Sequence, residues 1–281
     1  MRGRSGLNFA LLAAVIALGL FAYYKPHKEE AAHQVSLQKA AEVSSIKVEV
    51  AGSPPVLLAR AGTDWMLKTP ITARADNSQV QRLLEILDAR AKDRFPATGL
   101  ARYDLNEPAA RVTFNLQTFA FGAVNQMSRE QYVLTQDGIY PLHVRYGSAL
   151  PKHYLELVNR QLFSADEAPV AFTFTDFAVE QRNGKWQLTP PAADLSADDI
   201  NRWTDEWRLA AALGLQHASN RKPLASIKVR LKTGREISVA VLQREPQLAL
   251  ARSDLQYEHL FSAEAAKRLL APPAAAAVQK K

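Results

Sequence analysis

Histidines, carboxylates and tryptophans are the side chains through which this sequence could do chemistry. The six histidines are His27, His33, His143, His153, His217 and His259, and none falls in the HExxH type of spacing that puts two imidazoles on one metal ion. His143 and His153 flank an expected strand-to-helix turn and can approach each other, but two imidazoles without a neighbouring carboxylate pair make a poor metal site. The chain contains no cysteine, which removes disulfides, thiolate nucleophiles, iron–sulfur clusters and cysteine zinc sites. It also lacks a G-x-S-x-G elbow, a phosphate-cradling glycine-rich loop and a G-x-G-x-x-G turn. Asp194, Asp198, Asp199, Asp205 and Glu206 gather around one expected helix. Asp198 and Asp199 fall in its first turn, where they complement the helix dipole, so capping accounts for them without an acid–base pair. On that helix Trp203 and Trp207 stand four residues apart on one face. Packed in a core, each indole would bury ~150–250 Å². Left exposed, the pair would form a platform for a partner or a glycan, and these two are the candidate contact residues. No residue is assigned a catalytic, cofactor-binding or metal-ligating role.

Two matching halves must position these side chains. In the first, Trp65-Met-Leu67-Lys-Thr-Pro70 precedes a helical stretch; in the second, Trp186-Gln-Leu188-Thr-Pro-Pro191 does the same. Asp76 and Ser196 follow as helix N-caps. Val80, Leu83, Leu84 and Leu87 form the apolar stripe of one helix, and Ile200, Trp203 and Trp207 that of the other. Downstream, Val112, Phe114 and Leu116 alternate with polar residues, as do Ile227, Val229 and Leu231, the period-2 pattern of half-buried strands. Asn183-Gly184 is a strong hairpin signal, and Ala61-Gly62-Thr63-Asp64 a looser one. Each half is expected to close on a short helix, one over residues 151–162 and the other over residues 263–270. The fold class that follows is α+β, two duplicated units with mainly antiparallel sheets, spanning residues 45–163 and 169–270.

Residues 7–24 are uncharged and apolar but for Asn8, and as a helix they would cover roughly 27 Å, the depth of a bilayer's hydrocarbon core. Arg2 and Arg4 precede the segment, and Tyr23 and Tyr24 end it as an interfacial aromatic pair. A cleaved signal peptide would need small residues where Leu20 stands, so the segment is read as an uncleaved transmembrane helix. Residues 1–6 then form a cytoplasmic N-terminus, residues 25–44 a stalk, and residues 271–281 a disordered tail. The net charge of +7 sits almost wholly in the basic ends, leaving the body close to neutral, so nucleic acid is excluded as a partner.

The W-x-L-x-x-P stretch, the capped helix, Tyr103-Asp-Leu105-Asn-Glu-Pro108, and Phe119-Ala-Phe121-Gly122 before Tyr132-Val-Leu together resemble a bacterial family of membrane-anchored proteins, catalogued as domain of unknown function 4340. The likeness covers about residues 45–270. In the second unit Ser219-Asn-Arg-Lys-Pro223 replaces the tyrosine–leucine lead-in. The resemblance implies an exported accessory protein, with some members associated with ABC-type transport or gliding machinery, and it transfers no catalytic residue. The expectation is a non-enzymatic, single-pass inner-membrane protein whose periplasmic body serves as accessory or scaffold for an envelope complex. It has no cofactor, and its contacts are the inner membrane through residues 7–24 and an envelope protein. The alternative is a periplasmic ligand- or glycan-binding module that uses the cleft between the units.

Overall fold

The computed structural model describes residues 14–16 and 32–274. Residues 14–16 are helical; the rest of the expected span 7–24, and residues 275–281 of the expected tail, lie outside the described residues. Among the described residues no helix is long and apolar enough to cross a membrane.

The first half contains β1 (His33–Gln34), β2 (Ser45–Val50), β3 (Val56–Ala61), β4 (Asp64–Thr69), β5 (Ala73–Arg74), α1 (Asn77–Leu84), β6 (Arg90–Ala91), β7 (Ala110–Phe114), β8 (Gln117–Asn125), β9 (Glu130–Leu134), β10 (Ile139–His143) and α2 (Arg145–Ser148). The second contains β11 (Pro169–Thr173), β12 (Ala178–Arg182), β13 (Lys185–Thr189), α3 (Ala197–Arg208), β14 (Gly214–His217), β15 (Ala225–Leu231), β16 (Glu236–Gln243), β17 (Leu248–Arg252), β18 (Tyr257–Phe261) and α4 (Ala263–Leu270). Period-2 alternation makes the strands: Ile227, Val229 and Leu231 of β15 point into the core while the residues between them face out. Asn183 and Gly184 both take positive φ, which is the condition for the two-residue hairpin joining β12 to β13.

Sixteen of these strands form two eight-stranded antiparallel sheets and β1 and β6 a two-stranded one, the α+β architecture expected. The strand orders agree along most of their length. β10-β9-β8-β7-β2-β3-β4 in one sheet has the same sequence of neighbours as β18-β17-β16-β15-β11-β12-β13 in the other. The edges differ: β5 extends the first sheet beyond β4, while β14 extends the second beyond β18. Each sheet packs one face against its own helices. One core gathers around Val80, Leu83, Phe114 and Phe119, the other around Phe172, Trp207, Val229 and Val239.

Three sequence expectations are refined. The proline matching Pro70 is Pro190 rather than Pro191. A bulge leaves Lys68 as an extra residue in β4, so Thr69 and Thr189 are equivalent and each precedes a cis proline. The closing helix over residues 151–162 is only a 3₁₀ turn, Tyr154–Leu157, because Val158 turns extended and pairs with Ala75. Residues 33–43, expected in the stalk, lie against the first unit: β1 pairs with β6, and Val35, Ser36 and Val43 are buried. The lead-in to the second unit repeats this arrangement. Leu162 N–H donates to Ala210 O and Ala212 N–H to Arg160 O, just as Val35 N–H donates to Ala89 O. Each unit therefore begins with an extended segment laid beside the strand that follows its helix.

Candidate functional site

Polar side chains converge where the two units meet. The chain from Leu157 to Leu162 is bonded on both sides. Toward the first unit Asp76 N–H donates to Leu157 O and Asn159 N–H to Arg74 O; toward the second, Gln161 pairs with Ala211. Arg74 crosses the seam, its Nη2 donating to Gln161 O at 3.0 Å. A cleft of about 550 Å³ opens here, lined by Trp65, Arg74, Asn77, Gln161, Ser164 and Asp166 among others. Asn77 is fixed in its wall, donating to Asp64 Oδ1 at 2.7 Å and accepting from Trp65 N–H at 3.2 Å. The Ser164 hydroxyl holds the Asp166 carboxyl below its usual range.

Beyond the cleft, His153, Tyr154 and His217 form a chain across the seam. His153 caps the 3₁₀ turn of the first unit, its Nδ1 accepting from Leu155 N–H at 3.3 Å. An accepting Nδ1 carries no proton, so the neutral ring has its hydrogen on Nε2. Nε2–H then donates to His217 Nε2, 2.9 Å away on β14 of the second unit, and His217 Nδ1–H donates to the Tyr154 hydroxyl at 3.0 Å. Burial and the neighbouring His217 push His153 below the ordinary histidine value, which favours this neutral state. The same tautomer argues against a metal between the rings, since metal ligation through Nε2 would place the proton on Nδ1, against an incoming N–H. Among the described residues no group of three or more His, Cys, Asp or Glu is arranged to hold a metal ion.

Two charge clusters tie this region to the second sheet. Arg252 is buried and stacked over Phe163, and donates to Leu162 O at 2.6 Å, to both Glu167 carboxylate oxygens at 2.8 Å, and to Asp254. Burial alone would raise Glu167; the Arg252 hydrogen bonds and the Ser164 N–H outweigh it and hold the carboxyl at about 2. Glu258, fully buried on β18, accepts from Ser219 N–H at 2.7 Å, from the Ser219 hydroxyl and Gln216 at 2.6 Å, and from Arg221. Those bonds overcome the cost of its burial and keep it ionised. This cluster explains the departure at Ser219–Pro223. Where Tyr103 and Leu105 of the first unit pack on Ile139 of β10, Ser219 and Arg221 of the second bond the Glu258 carboxylate of β18.

The residues singled out from sequence are placed elsewhere. Trp203 and Trp207 are buried among Phe172, Phe174 and Phe177, and their indole N–H groups donate to Ala271 O at 2.8 Å and Leu269 O at 3.0 Å. They fasten α4 to α3. His143 does not meet His153; its Nδ1 accepts from Arg145 N–H at the start of α2. Asp199 completes the Ser196 capping box and pairs with Arg202, while Asp205 pairs with Arg208 and Glu206 with Arg268. Sequence reasoning missed His217, Arg252, Glu167 and Glu258. The pairs that matter, His153–His217, Arg252–Glu167 and Arg221–Glu258, are 64, 85 and 37 residues apart along the chain, so no local spacing pointed to them.

Two like sheets, joined by a linker bonded on both sides and by a polar seam, define a two-unit α+β body. Residues 65–222 match the family model described as Domain of unknown function (DUF4340), more than half of the chain, and the chain belongs to that family. The match runs from β4 of the first unit through the linker and past β14 of the second. No curated protein and no solved structure matches.

Proposed function

We propose that this chain is a non-enzymatic, single-pass bacterial inner-membrane protein. Residues 7–24 anchor it, and its two-unit body stands in the periplasm as an accessory or scaffold of an envelope complex. The complex that the family resemblance points to is an ABC-type transporter. One observation carries the reading: the histidines, arginines and carboxylates concentrated at the seam are spent on one another. His153 bonds His217 across the two units, Arg74 and Arg252 hold the linker from either side through Gln161 O and Glu167, and Arg221 is spent on Glu258 within the second unit. A body fixed in that way is suited to presenting surfaces. Crosslinking in intact membranes followed by mass spectrometry tests it. Recovery of a reproducible membrane partner supports the scaffold, and recovery of the protein alone counts against it. Protease added to spheroplasts tests the topology, since a periplasmic body is cleaved without lysis.

The cleft of about 550 Å³ favours one second reading, a small periplasmic ligand held between the units against Trp65, Arg74 and the amides of Asn77 and Gln161. Titration of envelope glycans against tryptophan fluorescence separates the two, because Trp65 lines the cleft while Trp203 and Trp207 are buried in the second core. A saturable change lost in Arg74→Ala favours the ligand, and a flat response favours the scaffold.

A further inference from the structure

Two of the most exposed apolar side chains in the described body, Leu37 and Leu116, sit on one rigid rim. Leu37 is 90% exposed and Leu116 is 91% exposed. Between them the Ser36 hydroxyl donates to Gln117 Oε1 at 2.6 Å, and Gln117 Nε2 donates to Val35 O at 3.4 Å. Leu116 is the second residue of the two-residue turn between β7 and β8, where Phe114 pairs with Gln117 and Asn115 takes a φ of +52°. Asn115 then builds the base of the rim. Its Oδ1 accepts from Ser44 and Ser45 N–H at 3.0 and 3.2 Å, and its Nδ2 donates to Glu42 O at 3.0 Å. Beside Leu37 stands exposed Lys39. Two leucines held out from a fully bonded polar base, next to a lysine, suit the boundary between lipid headgroups and acyl chains.

Chain length brings that boundary within reach. Because β1 and the buried Val35 and Ser36 belong to the body, only residues 25–31 separate the apolar segment from described structure. Fully extended at ~3.3–3.6 Å per residue, the chain from Tyr24 to Ala32 spans at most about 28 Å. Leu37 follows five residues after Ala32. The body therefore cannot stand far from the membrane that residues 7–24 would enter.

We infer that the Leu37–Leu116 rim is a membrane-contact surface, seating the body on the lipid headgroup layer with both leucines dipped into it. This rests on the anchoring proposed above and adds an orientation to it. The rim faces lipid, and the opposite end of the first sheet, where Met127 is 97% exposed in the β8–β9 turn, faces away.

The absence of cysteine makes the test clean. Val15→Cys, Leu37→Cys, Leu116→Cys and Met127→Cys are each labelled with an environment-sensitive fluorophore. The full chain is reconstituted into vesicles of phosphatidylethanolamine and phosphatidylglycerol carrying nitroxide lipids at either headgroup or acyl depth. The expected result is acyl-depth quenching at position 15, and blue-shifted emission with several-fold stronger headgroup-depth quenching at 37 and 116 than at 127. If 37 and 116 behave like 127 while 15 is quenched, the rim proposal fails and the anchor stands. If 15 is not quenched, the anchor fails and the proposal falls with it. Shielding of 37 and 116 in native membranes but not in pure lipid vesicles overturns the proposal in favour of a protein partner.

Discussion

His259 is fully buried on β18 between the rings of Tyr257 and Phe261, and neither of its ring nitrogens has a hydrogen-bond partner of good geometry. Burial, reinforced by the charges of Arg252 and Arg74, pushes it down to about 4 from the ordinary value of 6.5. The unfolded chain then binds a proton that the folded one refuses, so stability is complete above 6.5 and is lost as pH falls toward 4. For this one residue the loss between about pH 7 and about pH 5 is about 2 kcal/mol. Glu167 acts in a lower window. Its contribution is present above 4.5 and disappears as pH falls to about 2. Urea denaturation of His259→Phe at the same two pH values is expected to show a flattened pH dependence, with the variant gaining most at the acid end. An unchanged slope would show that His259 is protonated freely in the folded protein. A second residue-scale expectation concerns the His153–His217–Tyr154 chain. Burial holds His153 below the ordinary histidine value, and protonating it would turn Nδ1–H against the Leu155 N–H it accepts from, so acid should loosen the turn beside the seam. His153→Phe, which cannot titrate, should abolish the acid-induced rise in proteolytic cutting between the units.

Elements show why some of this was legible in sequence. Ser196 accepts from Asp199 N–H and Asp199 returns the bond to Ser196 N–H, which closes the first turn of α3. Ser196→Ala should cost about 1 kcal/mol and leave the strand pairing intact, measured by thermal unfolding. That cap, the strand alternation and the Asn183-Gly184 turn each depend on residues a few positions apart, and each could be read directly. The motif glycine at Gly122 has a different basis. A Cβ there would stand 2.1 Å from Tyr103 O and 2.8 Å from the Leu105 side chain. Two of the stretches that carried the family resemblance, Tyr103–Pro108 and Phe119–Gly122, thus need glycine at the point where they pack together. Gly122→Ala should destabilise by at least ~1–3 kcal/mol, since the obstacle is backbone rather than a flexible side-chain end. Wild-type stability in that variant would mean that the segment covering the sheet is loosely held. The two-residue strands β1, β5 and β6 escaped prediction because two residues show no period. The closing turn at Tyr154–Leu157 was overread as a helix because its apolar spacing fits one, while its exit is held extended by pairing of Val158 with Ala75.

At the scale of the whole molecule, the duplication was visible because it repeats the order of elements, and the two strand orders follow that repeat. The seam was not visible, because tertiary folding alone brings its members together. Arg252 is the clearest case. Its side chain is 3% exposed and spans from β17 to the linker, holding Leu162 O, Glu167 and Asp254 at once. Burial by itself would make this guanidinium easier to deprotonate; the two carboxylates reverse that and strengthen its charge. Such a group adds little net stability when intact, since desolvation opposes the attraction, but removing one member strands the others. Arg252→Met would leave Glu167 and Asp254 without their shared cation and Leu162 O without its donor. The expected cost is about 3–5 kcal/mol in chemical denaturation. The location of the damage tells more than its size. If Arg252 staples the linker to the second unit, amide exchange should rise first at Leu162 and Ser164, whose N–H groups donate to Ala210 O and Glu167 Oε2, while Val229 and Val239 in the core of that sheet stay protected. Uniform acceleration across both sheets would instead make Arg252 a part of the second core, and the rigid coupling of the two units would then have to rest on the linker's backbone ladder and the histidine chain.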